Sequence, residues 1–245
     1  MTSVIFNDPS GSDYLYKFSG VQLNASSGET LALGANLQTT INFLSGTAYN
    51  LTIGKGGIGT SQSAGTAVAN MKGVDSTLVY NGGTISCTGG GVGGDTVANG
   101  LIGGNGGSGG AGAGNGGSTN NGRGTGLSGE GFNGGVGNDD AGGGGGAGGL
   151  GENATVSPKQ LGRGGLGLTS YISGISFAQG GGGMANGEST SNGGLGDQYG
   201  GGSKSGSNNG TRGASGTGGG GAGNQQGGTS GAGGSGYCAI RIAVP

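Results

Sequence analysis

Histidine is absent from this 245-residue chain, cysteine occurs twice, and aspartate and glutamate together number eleven. Without histidine there is no Ser–His or Cys–His nucleophile pair and no imidazole metal ligand. The carboxylates fall in no recognisable paired frame. The chain therefore reads as non-enzymatic, with no catalytic residues and no cofactor.

Four patterns with chemical potential remain. Gly90-Gly91-Val92-Gly93-Gly94-Asp95-Thr96-Val97 and Gly134-Gly135-Val136-Gly137-Asn138-Asp139-Asp140-Ala141 both fit the calcium-binding G-G-x-G-x-D-x-U repeat. Asp95, Asp139 and Asp140 are the weak metal candidates, as oxygen ligands for a hard cation. Calcium in such solenoids lies between tandem turns, and these copies stand alone, so no metal site is assigned. Gly54-Lys55-Gly56-Gly57-Ile58-Gly59 matches G-x-G-x-x-G, with Asp75 further on, but no helix pattern follows as a dinucleotide site requires. Gly200-Gly201-Gly202-Ser203-Lys204-Ser205 lacks the phosphate-loop spacing. Asn24, Asn50, Asn153 and Asn209 begin N-x-[ST] sequons, read as ordinary loop composition.

The elements that would position any site are unusual. Glycine supplies 76 residues and hydrophobic types only 29 %, with no tryptophan. Burial at about 25 cal/mol per Å² does not offset an ordering cost of about 1–2 kcal/mol per residue, which is greatest for glycine. Such composition is ordinarily that of a linker. If the chain is ordered, backbone hydrogen bonds must hold it. Nine basic and eleven acidic residues give a net charge of −2 with no basic stripe, so no nucleic-acid partner is expected. No stretch is long and apolar enough for membrane insertion, and the first residues show no secretory pattern. Cys87 and Cys238 both sit in alternating segments and read as small buried hydrophobes, with a disulfide between them as the alternative.

Composition breaks near residue 54, after which 71 of the glycines lie. Residues 1–53 read as a small N-terminal β-module for attachment or packing. Strands are expected at 4–6, 14–18, 29–33, 39–43 and 48–53, with turn signals between them. Residues 54–245 form the glycine-rich part. There, runs such as 103–112 and Gly142, Gly145, Gly148, Gly151 repeat glycine every third residue. Three is the period of polyproline II, not of helix or strand. Collagen does not fit, because the register breaks often and only Pro9, Pro158 and Pro245 occur. The alternative is polyglycine II: left-handed three-fold helices packed side by side and bonded through backbone groups. Every third residue would point outward. Runs of about ten residues would span about 31 Å, with turns at 118–121, 152–160, 168–177, 188–192, 203–209 and 224–226. Residues 77–80 and 84–87 flank Asn81-Gly82-Gly83 as a hairpin, and 237–244 alternate as a half-buried closing strand. The expected fold class is mainly β/irregular: a β-module plus a polyglycine II sandwich closed by a C-terminal strand.

The run Tyr49-Asn50-Leu51-Thr52-Ile53-Gly54-Lys55-Gly56-Gly57 resembles the strand-then-glycine entry of the glycine-rich domain of phage tail fibres. Ile85-Ser86-Cys87-Thr88-Gly89-Gly90-Gly91 is similar to that domain's strand with triple glycine, and residues 231–244 resemble its closing strand. The likeness covers about residues 48–245. In style it extends to the distal adhesins of T-even-like phages, for which it implies a polyglycine II sandwich with receptor contacts on its loops. Related scaffolds serve other roles, so the scaffold does not fix the function.

On this resemblance the chain is expected to be a virion structural protein, a fibre or adhesin-type component on the virion surface that mediates host attachment. Its partners would be other virion proteins and a host surface receptor, and a homo-oligomer fits the same composition. The alternatives are a minor capsid or cement protein of a large virus, and an extracellular binding module for matrix or ice. The scattered threonines count against ice. The richest apolar segment of the glycine-rich part is 168–177. Tyr171, Ile172, Ile175 and Phe177 are the receptor-binding candidates. The alternative for this segment is a strand packed on the scaffold.

Overall fold

The computed structural model describes residues 6–7, 29–33, 37–41, 49–58, 72–80, 83–94, 102–114, 122–138, 140–156, 159–160, 162–169, 176–177, 180 and 238–241. Among these residues there is no helix, and the chain is mainly β and irregular.

Four strands form one sheet. They are β1 (Phe6–Asn7), β4 (Asn50–Thr52), β5 (Ser76–Tyr80) and β6 (Gly83–Cys87), in the order β1-β4-β5-β6. A second sheet holds β2 (Glu29–Leu33), β3 (Leu37–Ile41) and β11 (Cys238–Arg241), with β2 at its centre. Two short hairpins complete the set: β7 (Thr155–Val156) with β8 (Lys159–Gln160), and β9 (Leu168–Thr169) with β10 (Ser176–Phe177).

The first sheet follows side-chain logic. In β5, Ser76 and Leu78 are buried and alternate with more exposed neighbours, the period of two of a strand with one face inward. Leu78 lies in register with Leu51 of β4 on one side and Ile85 of β6 on the other. Leu51, Leu78 and Cys87 are each at most 3 % exposed. Cross-strand apolar rows of this kind are the unit of sheet stabilisation. Tyr80 pairs with Gly83, so β6 starts one residue early, at the last residue of the expected Asn81-Gly82-Gly83 turn. Gly83 has φ +140°, which a side-chain-bearing residue adopts only with strain.

Expected strands 29–33, 77–80 and 84–87 match β2, β5 and β6 within one residue. The segment 39–43 is displaced to Leu37–Ile41, where the antiparallel register pairs Leu33 with Leu37. The expected strand at 14–18 lies outside the described residues. The C-terminal strand pairs with β2, and β4 pairs with β5, so both pairings cross position 53.

The glycine-rich residues between the sheets follow a different rule. Eight extended segments, 88–94, 102–107, 108–114, 122–127, 131–138, 140–147, 149–154 and 162–167, are joined almost wholly by backbone hydrogen bonds between segments. Within 140–147 the bonds rotate with a period of three. The N–H groups of Gly142 and Gly145 donate to Gly112 and Gly109, and those of Gly143 and Gly146 donate to Glu152 and Gly149. The carbonyls of Ala141 and Gly144 accept from Gly162 and Gly165. One segment thus serves different neighbours with successive residues, as a three-fold backbone must.

Direction alternates. Segments consecutive in the chain run antiparallel: Gly104 donates to Val92 and Gly107 to Gly89, so the numbers run in opposite senses. Segments one apart run parallel: Gly103 donates to Gly122 and Gly106 to Thr125. Segment 140–147 is buried along its whole described length and is the centre of this array.

Close approach explains the glycine. A Cβ added at Gly110 would overlap the carbonyl of Val92, and one at Gly145 would overlap the carbonyl of Phe132. The expectation that every third residue points outward needs correction. Ala111, Ala113, Ala141, Ala147 and Ala154 are all buried. The gaps between segments accept a methyl group, so small side chains fill them instead of avoiding them. Turns at 127–131 and 147–149 also fall where none was expected. Glycine supplies the turn itself: Gly129 has φ +85°.

Candidate functional site

The alternating direction sorts the turns to two ends of the array. Segments 102–107, 122–127, 140–147 and 162–167 finish at the same end where 108–114, 131–138 and 149–154 begin. Backbone bonds tie this end together. Glu130 and Gly131 donate to the Leu127 carbonyl, Phe132 to Gly146, Gly146 to Gly149, and Gly148 to Leu166.

Four large apolar side chains stand here in water. Leu127 is 46 % exposed, Phe132 42 %, Leu150 56 % and Leu166 68 %. Each is the first bulky residue next to a turn, where the lattice has no room for it inside and the end offers open space. Exposed apolar groups gathered at one end mark contact surfaces, whereas scattered single ones are ordinary. At this end Lys72 and Asp75 form an ion pair beside the start of segment 88–94, and the other charged residue among its described residues is Glu130. Its carboxylate is engaged, accepting from the Thr88 N–H at 2.7 Å and from the Thr88 hydroxyl at 3.3 Å. The opposite end has Ile102, Arg123, Asp140 and Lys159 among its residues.

The β9–β10 hairpin leaves from the apolar end, since segment 162–167 finishes there. Phe177 pairs in register with Leu168, and Ser176 with Thr169. Of the receptor-binding candidates, Tyr171, Ile172 and Ile175 lie outside the described residues, and Phe177 is placed in its strand. Leu127, Phe132, Leu150 and Leu166 were missed by sequence reasoning, because each is a lone apolar residue inside a glycine run. The available signal was that each directly follows a glycine, Gly126, Gly131, Gly149 or Gly165.

Of the metal candidates, only Asp140 lies among the described residues. Asp95 and Asp139 lie outside the described residues. Asp140 is 1 % exposed, and its backbone carbonyl accepts from the Asn138 N–H at 2.8 Å. Among the described residues no three His, Cys, Asp or Glu side chains stand close enough to hold a metal ion. The Gly54 motif is structural here. Gly54 N–H donates to the buried Ser76 Oγ at 2.9 Å, and Val74 N–H donates to the Lys55 carbonyl at 3.0 Å. Among the described residues no helix is long and apolar enough to cross a membrane.

Where the backbone alone leaves a donor unanswered, asparagine completes the array. Asn105 Oδ1 accepts from Thr125 N–H at 2.8 Å, Asn133 Oδ1 from Gly126 N–H at 2.9 Å, and Asn153 Oδ1 from Val136 N–H at 2.8 Å. A carboxamide is a peptide group carried on a side chain, so it substitutes for a missing backbone carbonyl. Asp75 Oδ1 does the same for Gly89 N–H at 2.9 Å while pairing with Lys72 at 3.2 Å.

A protein held by backbone bonds between glycine segments, with strands at its margins, is a glycine-rich domain in the structural sense. The family comparison gives the same answer: the model of the glycine-rich domain matches residues 25–243, and the chain belongs to that family. The matched span runs from just before β2 into the residues after β11. No curated protein and no solved structure matches the chain.

Proposed function

We propose that the chain is a non-enzymatic virion structural protein, a fibre or adhesin-type surface component whose polyglycine II sandwich presents a host-contacting end. One observation carries this reading. The array places Leu127, Phe132, Leu150 and Leu166 at one end, exposed, beside the origin of the 168–177 hairpin. An apolar surface on a stiff lattice keeps its binding geometry without an ordering cost at the moment of contact. The three-residue rotation of hydrogen bonds supports the polyglycine II assignment, because a three-fold helix turns its donors through three directions in three residues.

The partners on this reading are other virion proteins at one margin and a host surface receptor at the apolar end. Immunogold labelling of particles from the source tests it. Label at fibre tips is the expected result. Label spread evenly over the shell would replace the adhesin reading with a capsid or cement role. Absence from particles would sink both and leave an extracellular binding module. Replacing Leu127, Phe132, Leu150 and Leu166 together by serine should abolish adsorption to host cells while the protein remains folded and particle-bound.

A further inference from the structure

Nine asparagines of this chain are followed directly by glycine, and two of these pairs, Asn105-Gly106 and Asn133-Gly134, are described in the array. The pair is chemically unstable in a flexible chain. The nitrogen of the glycine attacks Cγ of the asparagine, the N–Cγ bond forms, and the Cγ–Nδ2 bond breaks. Ammonia leaves with the proton that the attacking nitrogen gives up. Water then opens the cyclic imide at either carbonyl, giving aspartate or isoaspartate. Glycine permits the attack because it has no side chain to hinder it.

In the folded array both reacting groups are held elsewhere. Gly106 N–H donates to the Thr125 carbonyl at 3.2 Å, while Asn105 Oδ1 accepts from the N–H of the same Thr125 at 2.8 Å. The side chain and the following amide therefore clamp both backbone groups of one residue in the neighbouring segment. Gly134 N–H donates to the Gly124 carbonyl at 3.1 Å, and Asn133 Oδ1 accepts from Gly126 N–H at 2.9 Å. Gly106 and Gly134 are buried, which keeps hydroxide from the proton that must be lost. Turning either carboxamide back on its own chain breaks its bond to the next segment. Reaction requires a near-attack geometry with the reacting atoms in contact, and the clamp withholds it. The same clamp recurs at Asn153, where Ala154 N–H donates to the Val136 carbonyl at 2.9 Å and Asn153 Oδ1 accepts from Val136 N–H.

We propose that Asn105 and Asn133 are latent self-modification sites, guarded by the folded array and released when it opens. The two products have opposite consequences. Aspartate keeps a side-chain oxygen acceptor on an unchanged backbone. Isoaspartate routes the main chain through the side chain and lengthens it by one atom. In a lattice whose bonds repeat every three residues, that added atom takes the rest of the segment out of register. An opened chain that forms isoaspartate at either position is therefore locked out of the array, whereas one that forms aspartate is not.

Peptide mapping by mass spectrometry tests this on the full chain, held folded or in denaturant in the same mildly alkaline buffer. Asn105 and Asn133 should convert at least about tenfold more slowly in the folded chain, a factor that reports the local opening equilibrium. Equal rates in the two states would overturn the guarding claim. After refolding of the denatured sample, the folded fraction separated by size should retain aspartate at both positions and exclude isoaspartate. Isoaspartate at 105 or 133 in the folded fraction would overturn the register claim, whatever the rates.

Discussion

The β-sheet of β1, β4, β5 and β6 and the glycine array beside it are ordered by opposite means. The sheet is specified by what its side chains fill: Leu78 sits between Leu51 and Ile85 and is almost wholly out of water. The array is specified by what its residues lack, because segments bond only where no Cβ intervenes. A sheet position fails when atoms are removed and an array position fails when atoms are added. Both regions satisfy backbone groups, as any interior must. Only in the array does the backbone also choose the neighbours.

The sharpest way to break this comparison is a single methyl. Gly110→Ala should destabilise by roughly 4 kcal/mol or more, in the exceptional class of overpacked sites, because its Cβ would meet the rigid carbonyl of Val92. Gly90→Ala should cost far less, since nothing lies within 4 Å of a Cβ there. Thermal denaturation of the two variants side by side decides it, and equal losses would remove steric exclusion as the organising rule. Leu78→Ala should cost about 2–5 kcal/mol through the cavity it leaves, read from denaturant midpoints. Ser76→Ala should cost about 1–3 kcal/mol, because Gly54 N–H loses its buried acceptor, and Ser76→Thr, which keeps an oxygen, should recover part of that loss. Lys72→Ala should change stability by less than about 1 kcal/mol, since the ion pair with Asp75 is partly exposed and salt-screened. The pair's contribution should shrink further in high salt.

The division between the regions also explains what could be read from residues alone. β2 was legible because Glu29–Leu33 alternates between turn signals, and the β5–β6 hairpin because Asn81-Gly82-Gly83 lies between two strand-like runs. The period of three was legible from glycine spacing. The pairing of segments was not. A glycine face carries no mark distinguishing Gly112 from Gly135 as a partner, so that Gly142 bonds the first and Gly112 the second had no sequence signal. The same holds for β11 choosing β2, since alternation defines a strand without naming its neighbour. The asparagines that replace carbonyls were visible only as polar residues scattered among glycine. The apolar end was legible only in its hairpin, because exposure of Leu127 or Leu166 depends on where the turns fall.

The alternation of direction along the chain also governs how such a molecule can change length. Adding a single segment between Phe132 and Leu150 would carry every later turn to the opposite end and scatter Leu127, Phe132, Leu150 and Leu166 between the two. Adding two segments restores direction and leaves every later turn at its own end. Growth or loss by pairs therefore preserves the working end, and related chains of different length should differ by even numbers of segments.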